Sequence, residues 1–276
     1  MSAEAGAPDG LVAAADAGGR WWVERETLAA LRDGGWLDPV RLDAALAAAS
    51  GARGRAPVAI VTAGPVSLVV RAVHHGGLLG TALGRGLAGS RRPLDEIAST
   101  ARLHAAGAPV PRPAFAGAWR RGLGWQGVVA THLEVGARDG VAWLRDGPSP
   151  AALRRAIPRA GRAVRRFHDA GGWHPDLHAK NLLVREHGGD LDVLVIDLDG
   201  ARVTEHVPAP ARMAQLMRLY RSLLKRGLLD AVGARGCAAF LHAYVGGDRA
   251  LREALLRRLP AERRRVARHA LLYRRT

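Results

Sequence analysis

His174-Pro-Asp-Leu-His-Ala-Lys-Asn181, then Leu182-Leu-Val184, a Gly188-Gly189 turn, and Val193-Leu-Val-Ile-Asp197-Leu-Asp199, is the stretch on which the reading of this chain turns. A helical pattern precedes it and stops at Gly171-Gly172, so residues 174–181 read as a loop that presents Asp176 and Asn181. The two apolar runs that follow read as a hairpin whose second strand delivers Asp197 to the same place. Two carboxylates and an amide that converge suit Mg²⁺, which favours carboxylate, phosphate and water oxygens. A carboxylate near such a metal, but not on it, can accept the proton of an attacking hydroxyl. The segment offers a residue for each of these tasks.

Upstream of the loop, Ser149-Pro150 reads as an N-cap with proline in the first turn. The helix it opens runs to about Ala170, with Leu153, Ile157, Val164 and Phe167 inward and a kink near Pro158. Downstream, the chain reads as helical, including Met213 to Arg226 and a basic tail helix from about Ala261 to Arg275. The amino-terminal side is different. Val58 to Val61 and Ser67 to Val70 flank Ala63-Gly64-Pro65 as a hairpin, entered by a Gly51-Ala-Arg-Gly54-Arg55 loop. A Gly-rich connection, His74 to Gly89, leads to a helix from about Pro93 to Ala106. Leu94, Ile97, Ala98, Ala101 and Ala105 share one face of it, Asp95 and Glu96 sit in its first turn, and Gly107 stops it. Gly127 to Thr131 reads as a further strand. Residues 1–19 read as a flexible start, and Trp21, Trp22 and Trp36 read as packing onto the part that follows. A strand-rich lobe over 20–135 therefore precedes a helical lobe over 136–276, an α+β order with a small antiparallel sheet first and a cleft between lobes.

Composition narrows the class of protein. The chain has 276 residues, 48% of them hydrophobic and 24% charged, the balance of a soluble globular protein. The lone Cys237 allows no internal disulfide, which points to a reducing, cytoplasmic compartment. The start carries Glu4 and Asp9 rather than a basic stretch followed by an apolar one, so no secretory signal is expected. No apolar run is long enough to span a bilayer. The formal charge of +16 is carried almost wholly by arginine, since Lys180 and Lys225 are the only lysines. Such an excess favours anionic partners, although an arginine-rich composition without a specific partner accounts for it as well. Nothing matches a nucleic-acid recognition motif, so nucleic acid is not the expected partner.

The pattern His174-x-Asp176-x-x-x-x-Asn181 followed by an apolar strand ending in Asp197 resembles the catalytic loop and metal strand of the protein-kinase-like superfamily. The resemblance implies a two-lobed kinase-like fold that uses ATP and Mg²⁺. Asp176 would be the catalytic base and Asn181 and Asp197 the metal ligands, with His174 and Asp199 in support. His178, in Asp176-Leu-His178, stands where protein kinases carry lysine and looks like the kinases of aminoglycosides and sugars. Further stretches narrow the likeness: Val69-Val-Arg71-Ala-Val-His74-His75-Gly-Gly77, Glu96, Gly107-Ala-Pro-Val-Pro111-Arg-Pro113 and Thr131-His-Leu-Glu134-Val-Gly-Ala137-Arg138. Over roughly residues 50 to 205 the chain resembles the lipopolysaccharide kinase family, in particular its 3-deoxy-D-manno-octulosonic acid (Kdo) kinases.

That resemblance implies phosphorylation of the 4-hydroxyl of Kdo on a lipid A precursor, an anionic glycolipid, at the cytoplasmic face of the inner membrane. Arg71 stands at the position of the usual phosphate-binding lysine, with Glu96 as its partner, and arginine can bind phosphate bidentately. Gly51 and Gly54 would let backbone amides approach the phosphates. The same catalytic residues would serve a heptose, core-sugar or aminoglycoside kinase, and a pseudokinase adaptor docked on anionic glycolipid is the reading from another class. The basic tail helix fits a membrane surface or the flank of the helical lobe equally well.

Overall fold

A computed structural model of the chain describes residues 7, 10–49, 58–73 and 89–273, with 267–273 as backbone alone. The loop with Gly51 and Gly54 and the connection with His74 and His75 lie outside the described residues. The chain divides into two units, the first formed by Met1–Ala105 and Pro111–Leu133, the second by Ala106–Val110 and Glu134–Thr276.

The first unit is built on an antiparallel sheet of six strands in the order β1-β2-β5-β6-β4-β3. The strands are β1 (Leu11–Asp16), β2 (Gly19–Glu24), β3 (Val58–Ala63), β4 (Val66–Ala72), β5 (Pro113–Arg121) and β6 (Gly124–His132). The hairpin expected around Gly64-Pro65 is β3–β4, in register from Val58 opposite Arg71 to Ala63 opposite Val66. Alternate residues of the strands serve different cores. Phe115 and Val128 face α1 (Leu28–Asp33) and α2 (Pro39–Ala48) through Leu31, Leu42 and Leu46. Ala116 and Val129 face α3 (Arg91–Ala105) through Leu94, Ile97 and Ala101.

Three expectations are corrected in this unit. Residues 11–16, expected within a flexible start, form strand β1, because Ala13 and Ala14 pair opposite Trp22 and Trp21, and the indoles supply the burial that alanines lack. Strand β5 was not expected at all, since its Ala- and Gly-rich run carries neither alternation nor β-branched residues. Its smallness is functional: a Cβ at Gly117 would sit 2.1 Å from Trp21 Cζ3, so the indole lies directly on the β5 backbone. Trp21 also stacks on Trp119, with ring centroids 5.9 Å apart. Finally, α3 begins at Arg91, which places Asp95 and Glu96 beyond the first turn. Glu96 is buried rather than poised at the helix dipole.

In the second unit, Ser149 Oγ caps α5 (Pro150–Asp169) by accepting from the Ala152 amide at 3.2 Å, as expected. Asp139 caps the preceding short α4 (Gly140–Arg145) through the amides of Val141 and Ala142. A hairpin of β9 (Leu182–His187) and β10 (Asp190–Val195) turns at Gly188-Gly189 and is joined by β7 (Arg138–Asp139). The two-residue strands β8 (Gly172–Trp173) and β11 (Arg202–Val203) pair beside it. Three helices follow: α6 (Ala209–Lys225), α7 (Leu229–Val245) and α8 (Arg249–Tyr273). The tail helix therefore starts well before the expected Ala261 and carries Pro260 inside it. Helix α5 packs against α7 at Gly161, where a Cβ would meet the Phe240 carbonyl at 2.4 Å.

Candidate active site

Residues 174–181 leave β8 and close as a 3₁₀ turn at Ala179–Asn181 before β9 begins. His174 organises this loop. Its Nδ1 accepts from the Asp176 amide at 3.0 Å, which leaves the proton on Nε2, and Nε2 donates to the Ile196 carbonyl at 3.1 Å. Burial lowers the His174 pKa, outweighing the hydrogen bond to Ile196 and the charges of Asp197 and Asp176, so the ring is neutral and its tautomer fixed. The Ile196 amide in turn donates to the Asn181 carbonyl at 2.9 Å. Through these bonds one imidazole and one backbone bridge tie the loop to the strand end that carries Asp197.

The side chains are set accordingly. Asn181 is buried and its Nδ2 donates to the Asp176 carbonyl at 3.0 Å, which turns Oδ1 of the amide to the other side. Asp197 is exposed and holds a left-handed backbone with φ 59°, a conformation that costs a non-glycine residue and concentrates at functional sites. Asp199 follows in a turn closed by the Ala201 amide on the Leu198 carbonyl. An amide oxygen and a carboxylate are the hard donors Mg²⁺ takes, so this pair fits that ion. Among the described residues, no group of three or more His, Cys, Asp or Glu has the arrangement of a metal site.

Asp176 itself is 57% exposed and has a partner at each oxygen. Oδ2 lies 3.3 Å from His178 Nε2, and Oδ1 accepts from Arg218 Nη1 at 2.9 Å. The reading of the sequence placed a helix over Met213 to Arg226 but gave Arg218 on it no role. Along α6, Gln215 Oε1 accepts from the His174 amide at 2.9 Å and Ser222 Oγ accepts from the Ala179 amide at 3.0 Å. Gln215, Arg218 and Ser222 are spaced three and four apart, so one face of α6 grips the loop at three points. The signal was the helical spacing of Gln215, Arg218 and Ser222, on a helix that also carries Arg212, Arg221 and Lys225.

In the first unit, Arg71 on β4 forms a hydrogen-bonded ion pair with Glu96 on α3; their side chains are 22% and 5% exposed. This pairing joins the two residues that the sequence reading assigned together. A second charged cluster of that unit was not foreseen. Glu24 accepts from Arg112, Thr27 and His132, the last at 2.9 Å; burial raises its pKa, but these hydrogen bonds outweigh burial and lower it to about 2.

The second unit also holds an apolar cavity of about 570 Å³, lined by Trp143, Leu216, Tyr220, Phe240 and Leu241 and reaching the underside of the loop at Ala179. Beside it, Tyr244 and His168 Nδ1 share a hydrogen bond of 2.7 Å. Burial, followed by the charge of Arg212, lowers the His168 pKa to about 3. Among the described residues no helix is long and apolar enough to cross a membrane.

The chain resembles known proteins in sequence and in structure. The family model "Lipopolysaccharide kinase (Kdo/WaaP) family" matches residues 49–244. A 3-deoxy-D-manno-octulosonic acid kinase of Photobacterium profundum is 32% identical over 178 residues, 63% of this chain and 72% of that protein. One of Vibrio parahaemolyticus is 34% identical over 120 residues, 44% of this chain, and the chain spans only 47% of that relative's length. A solved structure described as WaaP in complex with acyl carrier protein shares the fold, with a TM-score of 0.55 and 22% identity over 83% of this chain and 92% of that one. The fold is thus the expected α+β, protein-kinase-like one, and the chain belongs to the lipopolysaccharide kinase (Kdo/WaaP) family.

Proposed function

We propose that the chain transfers the γ-phosphoryl group of ATP, with Mg²⁺, to a sugar hydroxyl, and that the acceptor is the 4-hydroxyl of Kdo on a lipid A precursor. The observation that carries this reading is the loop held by His174: it fixes the backbone of Asp176 and Asn181 against the strand end of Asp197 while leaving the Asp176 carboxylate exposed. Asp176 orients the acceptor hydroxyl and takes its proton as the hydroxyl oxygen bonds to phosphorus and the bond to the leaving diphosphate breaks. Asn181 and Asp197 would hold Mg²⁺, which would supply charge neutralisation on the phosphates. Arg71, kept in place by Glu96, adds a permanent positive charge for the phosphates. His178 and Asp199 support the base and the metal strand. Rate enhancement comes from positioning and electrostatics rather than from covalent catalysis.

The names of the relatives support Kdo as the acceptor sugar. The apolar cavity of the second unit supports an acceptor that carries acyl chains, and the net charge of +16 supports peripheral docking on an anionic membrane face, the cytoplasmic side of the inner membrane. Transfer of labelled γ-phosphate to a panel of Kdo-lipid A precursor, heptosylated core and an aminoglycoside tests the proposal, with Asp176→Ala as control. Label on the Kdo lipid alone, lost in the variant, is the expected result. Label on another acceptor overturns the choice of sugar, and no label on any acceptor from folded protein replaces the kinase with a non-catalytic binder.

A further inference from the structure

Arg218 stands in the middle of α6, between the two residues of that helix that grip the loop backbone, Gln215 at His174 and Ser222 at Ala179. Its Cα is therefore fixed relative to the loop of Asp176. Its guanidinium is not enclosed: the side chain is 47% exposed and touches Asp176 Oδ1 through Nη1 at 2.9 Å. A guanidinium has five N–H donors in a planar fork. Among the described residues the remaining donors of Arg218 meet no protein acceptor. An arginine so placed beside a carboxylate base offers a permanent charge and bidentate geometry to an acidic group on the molecule that approaches that base.

We propose that Arg218 recognises a carboxylate on the acceptor sugar, so that an acidic sugar is chosen at the moment its hydroxyl reaches Asp176. The inference rests on the reading of Asp176 as the base. It names the acceptor class: an ulosonic acid, whose carboxylate and accepting hydroxyl lie on neighbouring parts of one ring. In Kdo, a single methylene separates the carbon that bears the carboxylate from the one that bears the 4-hydroxyl. A neutral sugar leaves the charge-assisted bonds to Arg218 unmade, and a polycationic aminoglycoside meets repulsion there. His178 at 3.3 Å keeps the second oxygen of Asp176 partnered when Arg218 turns toward the acceptor.

The test compares Kdo-lipid A precursor with the same molecule carrying a carboxamide in place of the carboxylate. Equilibrium binding and phosphate transfer are both measured on the full chain, its Arg218→Ala and its Arg218→Lys variants. The wild-type protein is expected to bind the acid about 10- to 100-fold more tightly than the amide, the range for hydrogen bonds to a charged group. Arg218→Ala is expected to lose that preference, with KM raised for the acid far more than for the amide, and Arg218→Lys to recover part of it. A preference that survives in Arg218→Ala overturns the proposal. So does a fall in kcat that is equal for acid and amide with affinities unchanged, which would mark a residue that only orients Asp176. Binding preference lost in Arg218→Ala without any phosphate transfer by the wild type would keep this inference and overturn the kinase reading; transfer with a preference indifferent to Arg218 would do the reverse.

Discussion

The two units prepare their charged residues in opposite ways. In the first, the side chains themselves are packed: Arg71 and Glu96 close on each other between a sheet strand and a helix, and Glu96 is only 5% exposed. In the second, the backbone is packed and the side chain is left out. His174, Gln215 and Ser222 hold the loop through main-chain groups, while the Asp176 carboxylate stays 57% exposed. A group that must offer a constant charge gains from being locked. A group that must meet an incoming hydroxyl needs a fixed base and a reachable head.

The largest expected effect follows from that contrast. Asp176→Asn should lower kcat by about 10²- to 10⁴-fold, the range for a positioned general base, while leaving nucleotide affinity and melting temperature near wild type. A melting temperature that collapses with the activity would erase the distinction between the units. Arg71→Ala should behave in the reverse sense. It removes the Arg71 partner of the buried Glu96 carboxylate, so it should cost on the order of 3 kcal/mol in urea unfolding as well as weakening ATP binding. Stability unchanged by the substitution would show that the pair is not a structural lock.

Acid should separate the units too. Folded His168 binds a proton only near pH 3, whereas the unfolded side chain does so near 6.5. Between those values the unfolded chain holds more protons, so the stability of the second unit falls as pH drops through that window. Burial lowers His174 in the same direction. Glu24 of the first unit, lowered from 4.5 to about 2, contributes stability that is full above pH 4.5 and is lost between there and about pH 2. Hydrogen exchange at pH 7, 5.5 and 4.5 should therefore show protection falling first in α5 and α7, and His168→Phe should flatten that loss; equal loss in both units would contradict these assignments. The smallest effect is expected from Ser222→Ala, which removes the acceptor of the Ala179 amide. It should lower stability by about 1–2 kcal/mol, and kcat by less than the Asp176 change does.

What could be read in advance follows the range of the interactions. Asp176, Asn181 and Asp197 were legible because a loop and the hairpin after it are local, and residue types at short spacing carry their chemistry with them. Arg71 and Glu96 were legible as partners only through resemblance to a family, since 25 residues separate them and no periodicity links them. Strands β1 and β5 were hidden because their alanines and glycines have no strand preference of their own. Only Trp21, packed over Gly117 and stacked on Trp119, makes that surface worth burying.

The sequence alone set the residue types of the loop, the order of strand-rich and helical parts, the cap of Ser149 and the basic charge, because each depends on neighbours along the chain. Only the tertiary structure decided that α6 grips the loop with Gln215 and Ser222 and lays Arg218 against Asp176, 42 residues away. Such a contact depends on where a helix docks, and docking is set by the apolar residues α6 buries, which say nothing in advance about which polar residues among and beside them will meet the loop.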